Sequence, residues 1–285
     1  MANSPEMRTR ILTEMTNGEA EEYLGRNDII FLPLGVTETH GGMPLGCETV
    51  AAQAFALRMA EAADGLVLPD LSYLYPGSTV TGRGTVSMSI TRGVSYLKDI
   101  CRSLINQGFK RQILLSCHGP AYLTGSTAVR EIFEETKIPI LYIDMMQPMM
   151  KANIGFDKLG DLMYGAYGIM GRLEAVPLNV PESNSVTYDK SKKPAAGFMG
   201  PVLGLANMSG SIGYYIGDPW EHMPTPLVKT PGERLERAKR GEKIISDVVN
   251  SMDIVTVADT MRLTEKYCAE VIAKHPHLAE QGKIL

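Results

Sequence analysis

Short apolar runs, each leaving into a polar or glycine-rich stretch and then a longer segment with apolar residues at helical spacing, recur along this chain. The first, Asp28 to Leu34 (DIIFLPL), has no polar alternation and predicts a buried parallel strand, preceded by a helical segment at roughly 19–24. It runs into Gly35-Val36-Thr37-Glu38-Thr39-His40-Gly41-Gly42. Residues Glu48 to Ala63 then carry Ala, Leu and Met at helical spacing and stop at Gly65, where a helix-ending glycine belongs.

The order repeats with variations. Leu66 to Leu71 is strand-like, Ser78 to Ser89 is rich in Gly and Thr, and Gly93 to Gln107 is amphipathic and stops at Gly108. Arg111 to Cys117 (RQILLSC) predicts a second buried strand leading into His118-Gly119-Pro120. Thr127 to Thr136 reads as helix and Pro139 to Asp144 as a third strand. Strands alternating with helices in this way predict an α/β fold, three layers in α/β/α order around a mostly parallel sheet. Further on, 158–173 reads as a helix with Gly165, Ala166 and Gly168 facing a neighbour. About 232–251 reads as a long last helix with an apolar stripe at Leu235, Ala238, Ile244, Ile245 and Val248. Pro177 to Gly217 is rich in Gly, Pro, Ser and Asn and carries no clear period. With no repeat and no low-complexity linker, the reading is one domain over 1–260 and a C-terminal tail over 261–285.

Composition narrows the function. The 285 residues are 44% hydrophobic and 21% charged, enough apolar material for an ordinary core. The net charge of −4 argues against a nucleic-acid or membrane-surface partner, and the basic patch Lys190 to Lys193 reads as a solvated loop. No apolar stretch nears the roughly 18 residues of a membrane span, and Met1 to Arg10 is polar, which predicts a cytoplasmic protein. The four cysteines, Cys47, Cys101, Cys117 and Cys268, contain no CxxC pair, so neither a disulfide framework nor a zinc ribbon is expected.

Two of the five histidines, His40 and His118, directly follow the two strongest strand candidates. In a parallel sheet both strand ends lie on one edge, so the two can share a cleft. Glu38 and His40, one residue apart, project to the same side of an extended segment. Glu48, in the first turn of the next helix, can turn back to that strand end. Two imidazoles and two carboxylates form a mixed N/O set suited to Zn²⁺, Mn²⁺ or Fe²⁺. Such an ion acidifies water and polarises a carbonyl, the requirements for hydrolysing an amide or a ketone hydrate.

The stretch FLPLGVTETHGGMPLGCETVAAQAFALRMAE resembles the opening signature of the creatininase family, a strand leading to E-x-H-G and then a helix. RQILLSCHGPA resembles the family's second signature, and SIGYYIGDPWEHMPTPLVKTPGERLERAKRGEKII is similar to its glycine-rich element and following long helix. The resemblance runs from about residue 15 to 255. It implies a three-layer α/β/α fold, a homo-oligomer, commonly a hexamer, and one or two divalent ions used to hydrolyse C–N bonds of small cyclic amides. Some members instead open oxidised cyclic polyols of the keto-inositol type. Carried over residue by residue, the metal ligands fall on Glu38, His40, Glu48 and His118, with Glu38 and His118 also counted as catalytic.

The chain departs from the family pattern in several places. Glu48 stands where an aspartate is usual, on a loop one residue shorter. Pro120 and Tyr164-Gly165-Ala166-Tyr167 stand where the family keeps further acids, which favours one ion, Zn or Mn foremost, over two. Trp220 is the only tryptophan, so creatinine itself is not the expected substrate. A catalytically lapsed binding or scaffold protein on the same fold is the alternative of another class.

Other residues are weighed beside these. Tyr122, Tyr164 and Tyr167 could donate to an oxyanion, and Arg83 could clamp a carbonyl or carboxylate of the small-molecule substrate. The Gly-rich stretch around Arg83 lacks a following G-K-[ST], which argues against a nucleotide. Cys117 and His118 are adjacent and point to opposite faces, a poor nucleophilic pair, so core packing is expected for the thiol. His222 reads as a surface group, His275 and His277 as solvated, and the methionines, including Met145, Met146, Met149 and Met150, as core filler.

Overall fold

Among the described residues, four parallel strands in the order β2-β1-β3-β4 form a central sheet: β1 Ile29–Leu34, β2 Leu66–Val67, β3 Arg111–Ser116 and β4 Leu141–Asp144. The computed structural model describes residues 7–179, 205, 212–216 and 228–282. Helices α1 Asn17–Leu24, α2 Cys47–Ala63, α3 Ile90–Gln107 and α4 Tyr122–Thr136 alternate with the strands. After β4 come α5 Met146–Lys151, α6 Leu159–Ile169, α7 Pro231–Ser251 and α8 Ile254–Lys274.

Both faces of the sheet are covered, so the central strands carry no polar alternation. Ile29, Phe31, Ile113 and Leu115 face α2, α6, α7 and α8 through Val50, Phe55, Leu162, Ala238, Ile245 and Ala258. Ile30, Leu32, Leu34 and Leu114 face α1, α3 and α4 through Tyr23, Leu97, Leu104 and Ile132. This is the expected three-layer α/β/α arrangement.

Pro33 explains why β2 is shorter than the apolar run 66–71 suggests. On the side of β1 that faces β2, Phe31 O accepts Leu68 N–H at 2.9 Å and Gly35 N–H reaches Leu71 O at 2.8 Å. Pro33 falls between them and has no N–H to donate. The neighbouring chain turns away there through Pro69 and Asp70, whose φ is 69°. Pairing resumes only as a single bridge, Leu34 with Leu71.

Other expectations shift in detail. Asp64, not Gly65, takes the left-handed conformation that ends α2 (φ 50°), while a Cβ on Gly65 would meet the Phe31 ring at 2.7 Å. Helix α4 starts at Tyr122, earlier than its apolar spacing indicates. Leu235 is exposed, so the buried stripe of α7 is Ala238, Ile245 and Val248. The small residues of α6 do face a neighbour: a Cβ on Gly165 would lie 2.2 Å from the Gly241 carbonyl carbon of α7. Helix α8 runs unbroken through residue 260, where the sequence reading ends the domain, and starts one residue after the left-handed Asp253. His275 and His277 are exposed beyond it.

Candidate metal centre

The strand order reverses direction between β1 and β3. From β1 the chain crosses through α2 to β2, and from β3 it crosses through α4 to β4 on the other side. The loops leaving β1 and β3 therefore part at their carboxyl ends, the position where open α/β sheets bind ligands.

Glu38 and His40 leave β1 on the same side of an extended segment, while Thr39 points the other way and rests on Gly82. The segment is pinned by Glu38 N–H to Leu45 O at 2.9 Å and turns at Gly41, with φ 53°. Helix α2 brings Glu48 back to the strand. Its first turn lies so close that a Cβ on Gly35 would sit 2.6 Å from Thr49 Cα, and Thr49 Oγ1 donates to Val36 O at 3.0 Å. His118 follows β3, its N–H bound to Ser116 Oγ, which in turn donates to Leu34 O.

All four side chains are buried, Glu38 completely. Glu48 divides its oxygens: Oε1 is 3.2 Å from His40 Nε2 and Oε2 is 2.7 Å from His118 Nδ1. Glu38 Oε1 faces the same two rings, 3.8 Å from His40 Nε2 and 3.3 Å from His118 Nδ1. Donor atoms of Glu38, His40 and Glu48 all lie within 4.8 Å of one another, and His118 stands against this trio. The far nitrogen of His118, Nε2, is 3.2 Å from Tyr75 O. With a carbonyl on one side and carboxylates on the other, both ring nitrogens donate, so His118 is an imidazolium here.

Burial opposes that charge, but Glu48 and Glu38 outweigh it and hold the ring up at about 10. His40 is likewise pushed well up, against burial, by Cys47 and Glu48 beside it. Burial alone would raise Glu48, yet His118 and His40 hold it well below the usual carboxylate range. An ionised Glu48 and the Glu38 carboxyl are thus gathered in a buried space beside two imidazoles whose protons are held. That donor chemistry fits a divalent cation, which supplies the same balancing charge and asks for the same oxygen and nitrogen atoms.

The other residues singled out in the sequence fall in several settings. Tyr122, the first residue of α4, is partly exposed, and Arg83 is exposed on the loop whose Gly82 packs on Thr39. Tyr164 and Tyr167 are buried in the hydrophobic core, Tyr164 beneath the Arg237 guanidinium. Burial pushes the Cys117 thiol well up, which keeps it protonated and rules against a thiolate nucleophile. His222, Trp220, Lys190 to Lys193 and the segment Gly217-Asp218-Pro219 lie outside the described residues. Sequence reasoning missed Tyr75 O, which holds His118, and Thr79, whose hydroxyl donates to Glu38 Oε2. The one available signal was the Gly- and Thr-rich stretch in which Thr79, though not Tyr75, stands.

A family model described as creatininase, creatinine amidohydrolase, matches residues 13–164, just over half of the chain and all four clustered residues. The chain belongs to the creatininase family. Among curated relatives, this creatininase-family chain is 29% identical over 133 residues to 3-dehydro-scyllo-inosose hydrolase of Thermotoga maritima, covering 46% of this chain and 42% of that protein. It is 30% identical over 112 residues to creatinine amidohydrolase of Pseudomonas putida, covering 37% and 43%. The matched region spans less than half the length of either relative.

A crystal structure of creatinine amidohydrolase superposes with a TM-score of 0.59 at 20% identity, over 90% of this chain and 97% of that one. A variant creatininase described as the Zn-Zn type gives 0.57 at 19%, over 90% and 98%. A manganese creatininase gives 0.55 at 19%, over 90% and 98%. At such identities the superpositions establish the creatininase fold. Among the described residues no helix is long and apolar enough to cross a membrane.

Proposed function

We propose that this chain is a metal-dependent hydrolase that opens a small cyclic amide, or a related C–N bond, at its carbonyl carbon. The observation that carries the reading is the convergence of Glu38, His40, Glu48 and His118, all buried, at the point where the loops from β1 and β3 part. Glu38, His40 and Glu48 would hold the ion, and His118 would add a fourth donor through Nδ1, the nitrogen turned toward both carboxylates. A bound Zn²⁺ or Mn²⁺ supplies an acidified water and polarises the substrate carbonyl. Two imidazoles and two carboxylates complete a four-donor set, which supports one tightly held ion. Pro120 where a further acid would help, and Tyr164 and Tyr167 packed in the core, leave the described residues poorly equipped for a second.

The chain's own groups prepare that site. Tyr75 O fixes the His118 ring through Nε2, which keeps Nδ1 aimed inward. Glu48 Oε2 lies against His118 Nδ1, and the proton between them has to leave before that nitrogen can serve as a ligand, so ion binding at this site would release protons. Burial of all four side chains keeps bulk water from competing for them. Tyr122 and Arg83, at the exposed margin, are assigned to orienting the substrate's oxygen atoms.

A second reading, ring opening of an oxidised cyclic polyol, is favoured by one observation: the inosose-hydrolase relative matches a larger share of this chain than the creatinine-hydrolysing one. The deciding experiment gives the Zn- or Mn-loaded protein cyclic amides and keto-inositols separately, each with a chelated control. The reading expects turnover of one class, abolished by chelation. Stoichiometric metal without turnover of either class contradicts it and leaves the binding or scaffold alternative.

A further inference from the structure

The loop at residues 72–89, between β2 and α3, turns two polar groups onto the buried cluster from outside. One is Tyr75 O, on His118. The other is the hydroxyl of Thr79, a residue only 2% exposed, which donates to Glu38 Oε2. A second acceptor, Pro76 O, lies 3.1 Å from the same hydroxyl.

The backbone that presents this hydroxyl is itself fixed. Gly82 N–H and Thr85 Oγ1 both donate to Thr79 O, at 3.0 and 3.2 Å. Val86 N–H reaches Thr37 O at 2.9 Å, tying the loop to the chain that carries Glu38. Gly82 sits on Thr39 so closely that a Cβ there would come within 2.5 Å of Thr39 Cβ. The hydroxyl therefore meets one oxygen of Glu38 while the other, Oε1, faces His40 and His118.

We infer that Thr79 is a positioning residue for the metal centre: by engaging Oε2 it fixes the Glu38 carboxylate so that Oε1 alone is offered to the ion. The inference rests on the metal-centre reading given above. A carboxylate held this way loses its freedom to rotate or to chelate through both oxygens, and outer hydrogen bonds of this kind typically change metal affinity by about 10- to 100-fold.

The test measures equilibrium affinity of the whole protein for Mn²⁺, from the free-ion EPR signal, and for Zn²⁺, by competition with a chromophoric chelator. Thr79→Val removes the hydroxyl at nearly constant shape and is expected to weaken binding on the order of 10-fold or more. Thr79→Ser restores the donor and is expected to recover most of the affinity. Thr85→Val removes a hydroxyl that reaches only the Thr79 carbonyl and not Glu38, and is expected to lose clearly less affinity than Thr79→Val. If Thr79→Val does not fold, Thr79→Ala deletes the same group with no branched side chain to place. Wild-type affinity in the hydroxyl-less variant overturns the inference, and so does an equal loss in Thr85→Val, which would point to general loosening of the loop. A wild-type protein that binds neither ion overturns the metal-centre reading itself, and this inference with it.

Discussion

A carboxylate buried as deeply as Glu48 has to be balanced by positive charge, and it takes that charge from two imidazoles, one on each oxygen. Replacing it with Gln keeps the shape and removes the charge. Purified Glu48→Gln is therefore expected to retain well under half of the metal that wild type retains when both are analysed by elemental methods after dialysis; equal retention would remove Glu48 from the ligand set. This residue was legible in sequence because the order strand, loop, helix returns a first-turn side chain to the strand end. Thr79 was not, since nothing about a threonine in a polar loop distinguishes one that faces a carboxylate from one that faces water. The cysteines give a second prediction at this scale. Burial pushes Cys101 up to about 12 and Cys117 well above its usual range, Cys47 is buried, and Cys268 is half-buried on α8. A disulfide reagent at neutral pH is expected to modify Cys268 first in the native protein and all four thiols only after unfolding; rapid modification of Cys117 would contradict the packing described.

Elements were legible where burial follows from the pattern and obscure where it does not. Strands β1 and β3 are continuous apolar runs because both their faces are covered. Helix α8 escaped notice because several of its large apolar residues, Val255, Leu263 and Tyr267, are exposed, and because only a left-handed Asp253 separates it from α7. The contact of α6 with α7 rests on absent side chains. A Cβ on Gly241 would stand 1.9 Å from Asp161 O, so Gly241→Ala must push the helices apart and is expected to destabilise by about 1–3 kcal/mol or more, read as a lower denaturant midpoint. Gly18, exposed in α1 with nothing near it, is the contrast: Ala there is expected to stabilise by up to about 1 kcal/mol. Helix α1 also carries a pH dependence. Arg8, with the backbone and hydroxyl of Thr16, holds Glu19 down to about 2 from an ordinary 4.5. A depressed carboxylate contributes stability above its unfolded value and loses it as pH falls through its folded value. The melting-temperature gap between wild type and Glu19→Gln is thus expected to be largest at neutral pH and to close as pH falls toward about 2; a gap that persists in acid would mean the pairing is not responsible.

At the scale of the whole molecule, strand order decides what the side chains can do. Because β1 and β3 are neighbours whose crossovers leave in opposite directions, residues far apart in sequence share one buried space. The alternation of elements made this arrangement legible, and the two histidines that end the best strands marked where the four side chains meet. The substrate was not legible, since a site that activates water beside a carbonyl serves amides and ketones alike. The central claim is spatial, and an anomalous-diffraction map from crystals grown with Mn²⁺ or Zn²⁺ tests it most directly. The account predicts one strong peak within bonding distance of Glu38, His40 and Glu48 and on the Nδ1 side of His118. A map with no peak among these residues, or with its strongest peak elsewhere in the chain, would contradict it.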